Sequence, residues 1–137
     1  MTETQTADRA AIADLLSSYW LAADGQDTPG VAALFAEDGV FAGAGLPVLE
    51  GRAAIEEFFT TYHQGPHATT AMHFFAPPQI VVDGDGATVA CYMLLLAASA
   101  EGPPSVGGLM RYDDELVRRD GRWLFARRAV APAGGVA

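Results

Sequence analysis

Apolar residues recur at helical spacing through the first half of the chain. Between Asp8 and Asp24, the residues Ile12, Leu15, Leu16, Tyr19 and Ala23 fall on one side, which predicts a helix that buries that face. Thr28-Pro29 offers a capping side chain followed by a proline suited to a first turn. A second, short helix is therefore predicted through Val31, Leu34 and Phe35, ending near Asp38-Gly39. From Gly51 to Tyr62, Ile55, Phe58, Phe59 and Tyr62 are three or four apart, with Glu56 and Glu57 turned outward. That is a third helix, and Gly65-Pro66 stops it.

The second half changes period. Turn residues now separate runs rich in β-branched and aromatic side chains, the signature of strands. Asp83-Gly84-Asp85-Gly86 divides Gln79–Val82 from Ala87–Ala98, and Asp120-Gly121 divides Arg111–Arg119 from Arg122–Val130. Both suit tight hairpins, while Gly102-Pro103-Pro104 makes a longer connection. A short strand is predicted near Gly39–Ala42. Three helices followed by an antiparallel meander make the class α+β. Ala87–Ala98 is apolar at both parities, which predicts a central strand with protein on each side. A sheet bent around helices leaves a concave apolar cavity, the usual seat of a small ligand.

At 137 residues the chain fits one domain, taken here as residues 1–131, with residues 132–137 as a frayed tail. Half the residues are hydrophobic and 18% charged, which excludes a disordered composition. A formal net charge of -9 repels phosphate backbones and anionic membrane surfaces, so neither nucleic acid nor a membrane is expected as a partner. The longest apolar run, Val89–Ala100, is well short of the ~20 residues that span a bilayer. Met1–Arg9 is polar and acidic, so no signal peptide is expected and a cytoplasmic location is. The lone Cys91 sits in the apolar run and reads as a buried structural thiol.

Several linked stretches carry a resemblance. Tyr19-Trp20-Leu21-Ala22-Ala23-Asp24 closes the first helix; Leu34-Phe35-Ala36-Glu37-Asp38-Gly39-Val40-Phe41 and Gly51-Arg52-Ala53-Ala54-Ile55 follow. The hairpin from Tyr112 to Trp123 completes the set. In order and spacing, roughly from Asp8 to Val130, these resemble the SnoaL-like branch of the nuclear transport factor 2 superfamily. The resemblance implies a cone-shaped, curved mixed or antiparallel sheet wrapped around three N-terminal helices, enclosing an apolar pocket. It implies no single activity, since one fold hosts many chemistries.

Among such proteins, scytalone dehydratase, hexachlorocyclohexane dehydrochlorinase and bile-acid dehydratase place an aspartate at the end of the first helix and a histidine on a later strand. Asp24 and His73 match those positions, Tyr19 matches a tyrosine of bile-acid dehydratase, and Arg128 best matches an arginine of the dehydrochlorinase. The carboxylates used by ketosteroid isomerases would fall near Gly43 and Ser105, and the charged triplet of the epoxide hydrolases is missing from Ala90–Ala98. The resemblance therefore implies a cofactor-free dehydratase-type lyase acting on a small, apolar, oxygenated molecule. Polyketide cyclase or isomerase chemistry in the same pocket, and a non-catalytic binding or partner domain, stand as alternatives. A homodimer or homotrimer is expected.

The chemistry fits the residue types. Elimination needs a base for a carbon-bound proton, and histidine suits it; a carboxylate on the other ring nitrogen fixes the tautomer and stabilises the imidazolium. Tyr19 would bond a substrate oxygen and Arg128 would compensate its charge. The helical wheel leaves Asp24 at the margin of the apolar stripe, about 40° beyond Trp20, where a solvated aspartate is equally consistent. Strand parity groups Arg128 with Leu124 and Ala126 and leaves open whether Arg127 or Arg128 faces inward. Phe41, Phe58, Phe75, Tyr92, Leu94 and Met110 are the expected pocket lining. His63 and His67 are four apart, but Gly65-Pro66 between them breaks helical geometry, so no metal site is expected.

Overall fold

A computed structural model describes residues 1–43, 45–66 and 70–134. Helix α1 spans Glu3–Asp24 and starts earlier than its apolar stripe, because Thr2 and Gln5 form a reciprocal capping box. Thr2 Oγ1 accepts from the Gln5 amide at 3.1 Å, and Gln5 Oε1 accepts from the Thr2 amide at 2.9 Å. Asp8, at the expected start, is buried one turn inside and accepts from Arg118 and from Trp123 Nε1. That contact ties α1 to the C-terminal hairpin.

Helix α2 covers only Thr28–Ala32 and is capped by Asp27, whose carboxylate accepts from the Gly30 amide at 3.0 Å. The expected continuation through Leu34 and Phe35 does not occur. Phe35 instead opens strand β1 (Phe35–Gly43). Its ladder with Phe125 and its complete burial outweigh local helical spacing. Gly39, expected as a helix stop, lies within this strand: a Cβ there would meet Ala36 O at 2.9 Å and Phe125 O at 3.0 Å. Strand β2 (Leu49–Glu50) precedes helix α3 (Arg52–His63), where Arg52 donates twice to Phe35 O and holds the helix against β1.

Strands β3 (Ala71–Phe75), β4 (Gln79–Asp83), β5 (Gly86–Ala97), β6 (Ser105–Arg119) and β7 (Arg122–Pro132) complete a curved, unclosed sheet. The order is β2-β1-β7-β6-β5-β3, parallel only between β1 and β7. Strands β3 and β4 lie end to end along β5, pairing with Met93–Ala97 and Gly86–Ala90 respectively. The Ala76-Pro77-Pro78 break between them bends that edge. At Asp120-Gly121 both residues have positive φ, 51° and 74°, the conformation that a tight antiparallel hairpin demands. Ile12, Leu15, Tyr19 and Ala23 of α1 and Ile55 and Phe59 of α3 pack on the concave face against Phe35, Met93, Leu116 and Phe125.

Two expectations need correction, and one left open is decided. Strand β5 is central, but its outer face is open: Cys91 and Met93 are buried while Tyr92 is 52% exposed. Strand parity alone puts Arg128 with Leu124, whereas a bulge at Ala126 (Leu116 opposite Phe125, Glu115 opposite Arg127) resets the alternation. Arg128 consequently points inward with Phe125, and Arg127 outward. Finally, β7 runs through Pro132, and the Ala133 amide donates to Leu109 O at 2.9 Å, so the expected frayed tail is ordered through these residues; 135–137 lie outside the described ones. Among the described residues, no helix is long and apolar enough to cross a membrane.

Candidate functional site

Asp24 is the last residue of α1, and β3 passes beside it. His73 Nδ1 lies 2.6 Å from Asp24 Oδ1, and the His73 backbone amide donates to both carboxylate oxygens at 3.2 and 3.1 Å. An ionised carboxylate can only accept, so the ring proton resides on Nδ1 and the neutral imidazole keeps Nε2 as an open acceptor. The side chains are 16% and 11% exposed. The helical wheel leaves Asp24 at the stripe's margin because it seats against an approaching strand edge, not against the core. Stacking fixes the ring plane as well: Phe75 is parallel to His73 at 6.2 Å, and Tyr19 meets it edge-on at 6.3 Å.

The imidazole faces a cavity of about 270 Å³. Phe41, Phe58 and Met110 are among its lining residues, joined by Phe59, Met93, Leu95 and Tyr62. Three expected residues stand elsewhere. Tyr92 and Leu94 share the outer parity of β5, opposite Met93 and Leu95. Phe75 supports the back of His73 and borders a neighbouring cavity. Sequence reasoning missed Tyr62 and Tyr112 as lining groups; Tyr62 falls at the same helical spacing as the core residues of α3, and Tyr112 shares inward parity with Met110, the only signal available. Gly43, Gly107 and Gly108 leave one side of the wall as bare backbone. A second bulge, with Leu95 opposite Gly108 and Leu96 opposite Val106, places the latter two there.

Tyr19 and Tyr112 meet edge-on at the cavity wall, their ring centres 6.4 Å apart. Burial pushes the Tyr19 phenol up to about 12, with Arg128 opposing, and raises Tyr112 well above its ordinary value. Both stay protonated at neutral pH and are donors. Burial also raises Tyr62, and the negative charge of Asp24 adds to the effect.

Arg128 does not line this cavity. It is 1% exposed and lies behind the two tyrosines, its guanidinium 4.0 Å from the Tyr19 ring centre and 4.3 Å from that of Tyr112. Its Nε is 3.2 Å from Asp114 Oδ1. Burial pushes the Asp114 carboxyl up to about 6 against the pull of Arg128. The expected direct contact of Arg128 with substrate is therefore replaced by contact with the faces of two phenols, because the inward parity set by the bulge leads it into the layer beneath them. His63 Nδ1 is 2.7 Å from Thr28 Oγ1, joining α2 to α3, and burial lowers its pKa. His67 lies outside the described residues, and among those described no three His, Cys, Asp or Glu side chains are grouped as a metal site.

The model of the SnoaL-like domain matches residues 4–129. No match was found among curated proteins. The fold is similar to that of a nuclear-transport-factor-2-like protein with a cystatin-like fold from Novosphingobium aromaticivorans, at 27% identity and a TM-score of 0.88, covering 98% of this chain and 87% of that one. It is also similar to ActVI-ORFA from Streptomyces coelicolor, at 28% identity and 0.84, covering 96% and 99%. A third similar structure, from Novosphingobium aromaticivorans and provisionally named scytalone dehydratase, is 25% identical with a TM-score of 0.81, covering 98% and 89%.

Proposed function

Because the chain belongs to the SnoaL-like family, we propose that it is a cofactor-independent lyase of dehydratase type, acting on a small apolar oxygenated molecule with His73 as base and Asp24 as its orienter. The single observation that carries this reading is the 2.6 Å Asp24–His73 contact at the edge of an apolar cavity. Histidine Nε2 takes a proton from the carbon next to a substrate carbonyl. The electron pair left behind forms the carbon–carbon double bond as the bond to the β-hydroxyl breaks, and the imidazolium returns its proton to the leaving oxygen, which departs as water. Asp24 stabilises the imidazolium through Nδ1. Tyr19, held protonated by burial and backed by Tyr112, donates to the carbonyl oxygen where negative charge develops. Arg128 acts behind these rings, through their faces.

Cyclase or isomerase chemistry is the second reading, and one observation favours it: base and phenol donors converge on a single cavity, which is all that enolisation requires. A panel of cyclic β-hydroxyketones separates the two, since elimination releases water and builds conjugated absorbance while isomerisation conserves mass. His73→Ala is expected to lower turnover by about 100-fold or more, with unchanged circular dichroism. Full turnover in that variant removes His73 from the mechanism.

A further inference from the structure

A second cavity of about 280 Å³ opens on the other side of the tyrosine layer, between α1 and the Ala76-Pro77-Pro78 break. Leu16, Trp20, Phe75, Pro77 and Pro78 make it apolar, Ala13 and Ser17 sit on the exposed side of α1 at its rim, and Arg128 is its one charged lining group. Arg128 Nε and Nη1 are buried and have no hydrogen-bond partner, and the Asp114 oxygens are likewise unpartnered. A buried donor left unmade costs about 1–3 kcal/mol, more for a charged group, and native proteins rarely leave one so. An acceptor entering the cavity would satisfy it.

We propose that this cavity is a second ligand site, separate from the His73 cavity, which takes a small neutral carbonyl compound of single-ring size with its oxygen at the edge of the Arg128 guanidinium. Size fits, since a cavity of about 150 Å³ already holds benzene. The body of the ligand meets the Trp20 and Phe75 rings and the two prolines. Neutrality follows from charge. Asp114 already balances Arg128 at 3.2 Å, so a carboxylate would set a second negative charge beside a buried one, in a chain of net charge -9. A carbonyl oxygen satisfies the open donor without adding charge. Arg128 and Phe75 are shared, since they back the Tyr19 and His73 rings of the first cavity, but binding here needs no turnover there, so the two readings fail separately.

The test is a titration of the 15N-labelled full chain with acetophenone, following backbone amides. Shifts are expected at Ala13, Ser17, Trp20 and Cys91, retained in His73→Ala and weakened at least tenfold by Ala13→Trp, which blocks the rim from an exposed helix position. Benzoate, of the same shape but charged, is expected to leave these amides unmoved. The proposal is overturned if acetophenone shifts only Gly43, Gly107 and Gly108 of the other cavity, if Ala13→Trp binds as tightly as the wild type, or if benzoate binds here as well as the ketone. A crystal structure with ordered water alone on Arg128, together with no acetophenone shift, overturns it equally.

Discussion

Two pairs, each a carboxylate against a basic side chain, flank Tyr19, and they are built in opposite ways. Asp24 and His73 meet where a helix ends beside a strand; the carboxylate accepts from a ring nitrogen and from a backbone amide, and the far ring nitrogen faces a cavity. Asp114 and Arg128 sit directly opposite each other on β6 and β7, nearly sealed from solvent, 3.2 Å apart yet without hydrogen-bond geometry. Aromatic faces compensate the guanidinium: Tyr19, Tyr112 and Phe125 all lie within 4.6 Å of it. Formal charge therefore says little about role. A satisfied pair with one open nitrogen can move a proton, whereas a sealed pair sets the potential and rigidity of the layer in front of it and leaves an unmade donor on its other side.

Breaking the sealed pair gives the largest effect. Arg128→Ala leaves the Asp114 carboxylate buried and uncompensated, and is expected to cost about 3–5 kcal/mol in urea unfolding above neutral pH. A loss under about 1 kcal/mol would show that Asp114 needs no counter-charge. The same pair predicts how stability changes with pH. The folded Asp114 carboxyl titrates at about 6 against an ordinary 3.8, so the folded state holds a proton that the unfolded chain has released. Its contribution is complete below about pH 4 and is lost as pH rises through about 6, amounting to about 3 kcal/mol. Wild type should therefore lose about that much more than Asp114→Asn between these limits; parallel curves for the two proteins sink the assignment.

The open pair is expected to respond in activity instead. Asp24→Asn removes the charge that stabilises the imidazolium and lets the ring adopt the wrong tautomer, so turnover should fall by about 100-fold or more. Stability should change by about 1 kcal/mol, because both side chains retain some contact with water. If Asp24→Asn instead left turnover intact and cost as much stability as Arg128→Ala, the contrast between the pairs would collapse.

Helical spacing and turn residues made the three helices and both hairpins legible in the sequence, since these are local signals. What was not legible came from pairing. Phe35 is a helix residue by spacing and a strand residue by virtue of Phe125 alongside it. The inward arginine is decided by an extra residue at Ala126, visible only once Glu115 and Leu116 are set opposite Arg127 and Phe125. Asp24 could be matched by resemblance, but its direction could not, because the strand that receives it begins 47 residues later at Ala71.

Strand β5 supplies the smallest and cleanest test. Its apolar run hides which parity is inward, and the expectation that Tyr92 and Leu94 line the pocket assigned the wrong one. Paired residues settle it: Met93 faces Met110, which lines the cavity, whereas Tyr92 faces the exposed Arg111 and Leu94 the exposed Leu109. Tyr92→Ala removes a ring that is half in solvent and lines the outer face beside Arg111, away from the His73 cavity and from both pairs compared above. Stability should move within about 0.5 kcal/mol and turnover not at all. Met93→Ala, one residue away, should cost about 2–5 kcal/mol in stability, the usual range for a truncated core methionine. Since adjacent positions share sequence environment and differ only in the side of the sheet they face, a Tyr92→Ala loss comparable to that of Met93→Ala would show that the outer face is covered, and with it that the pocket has been placed on too few strands.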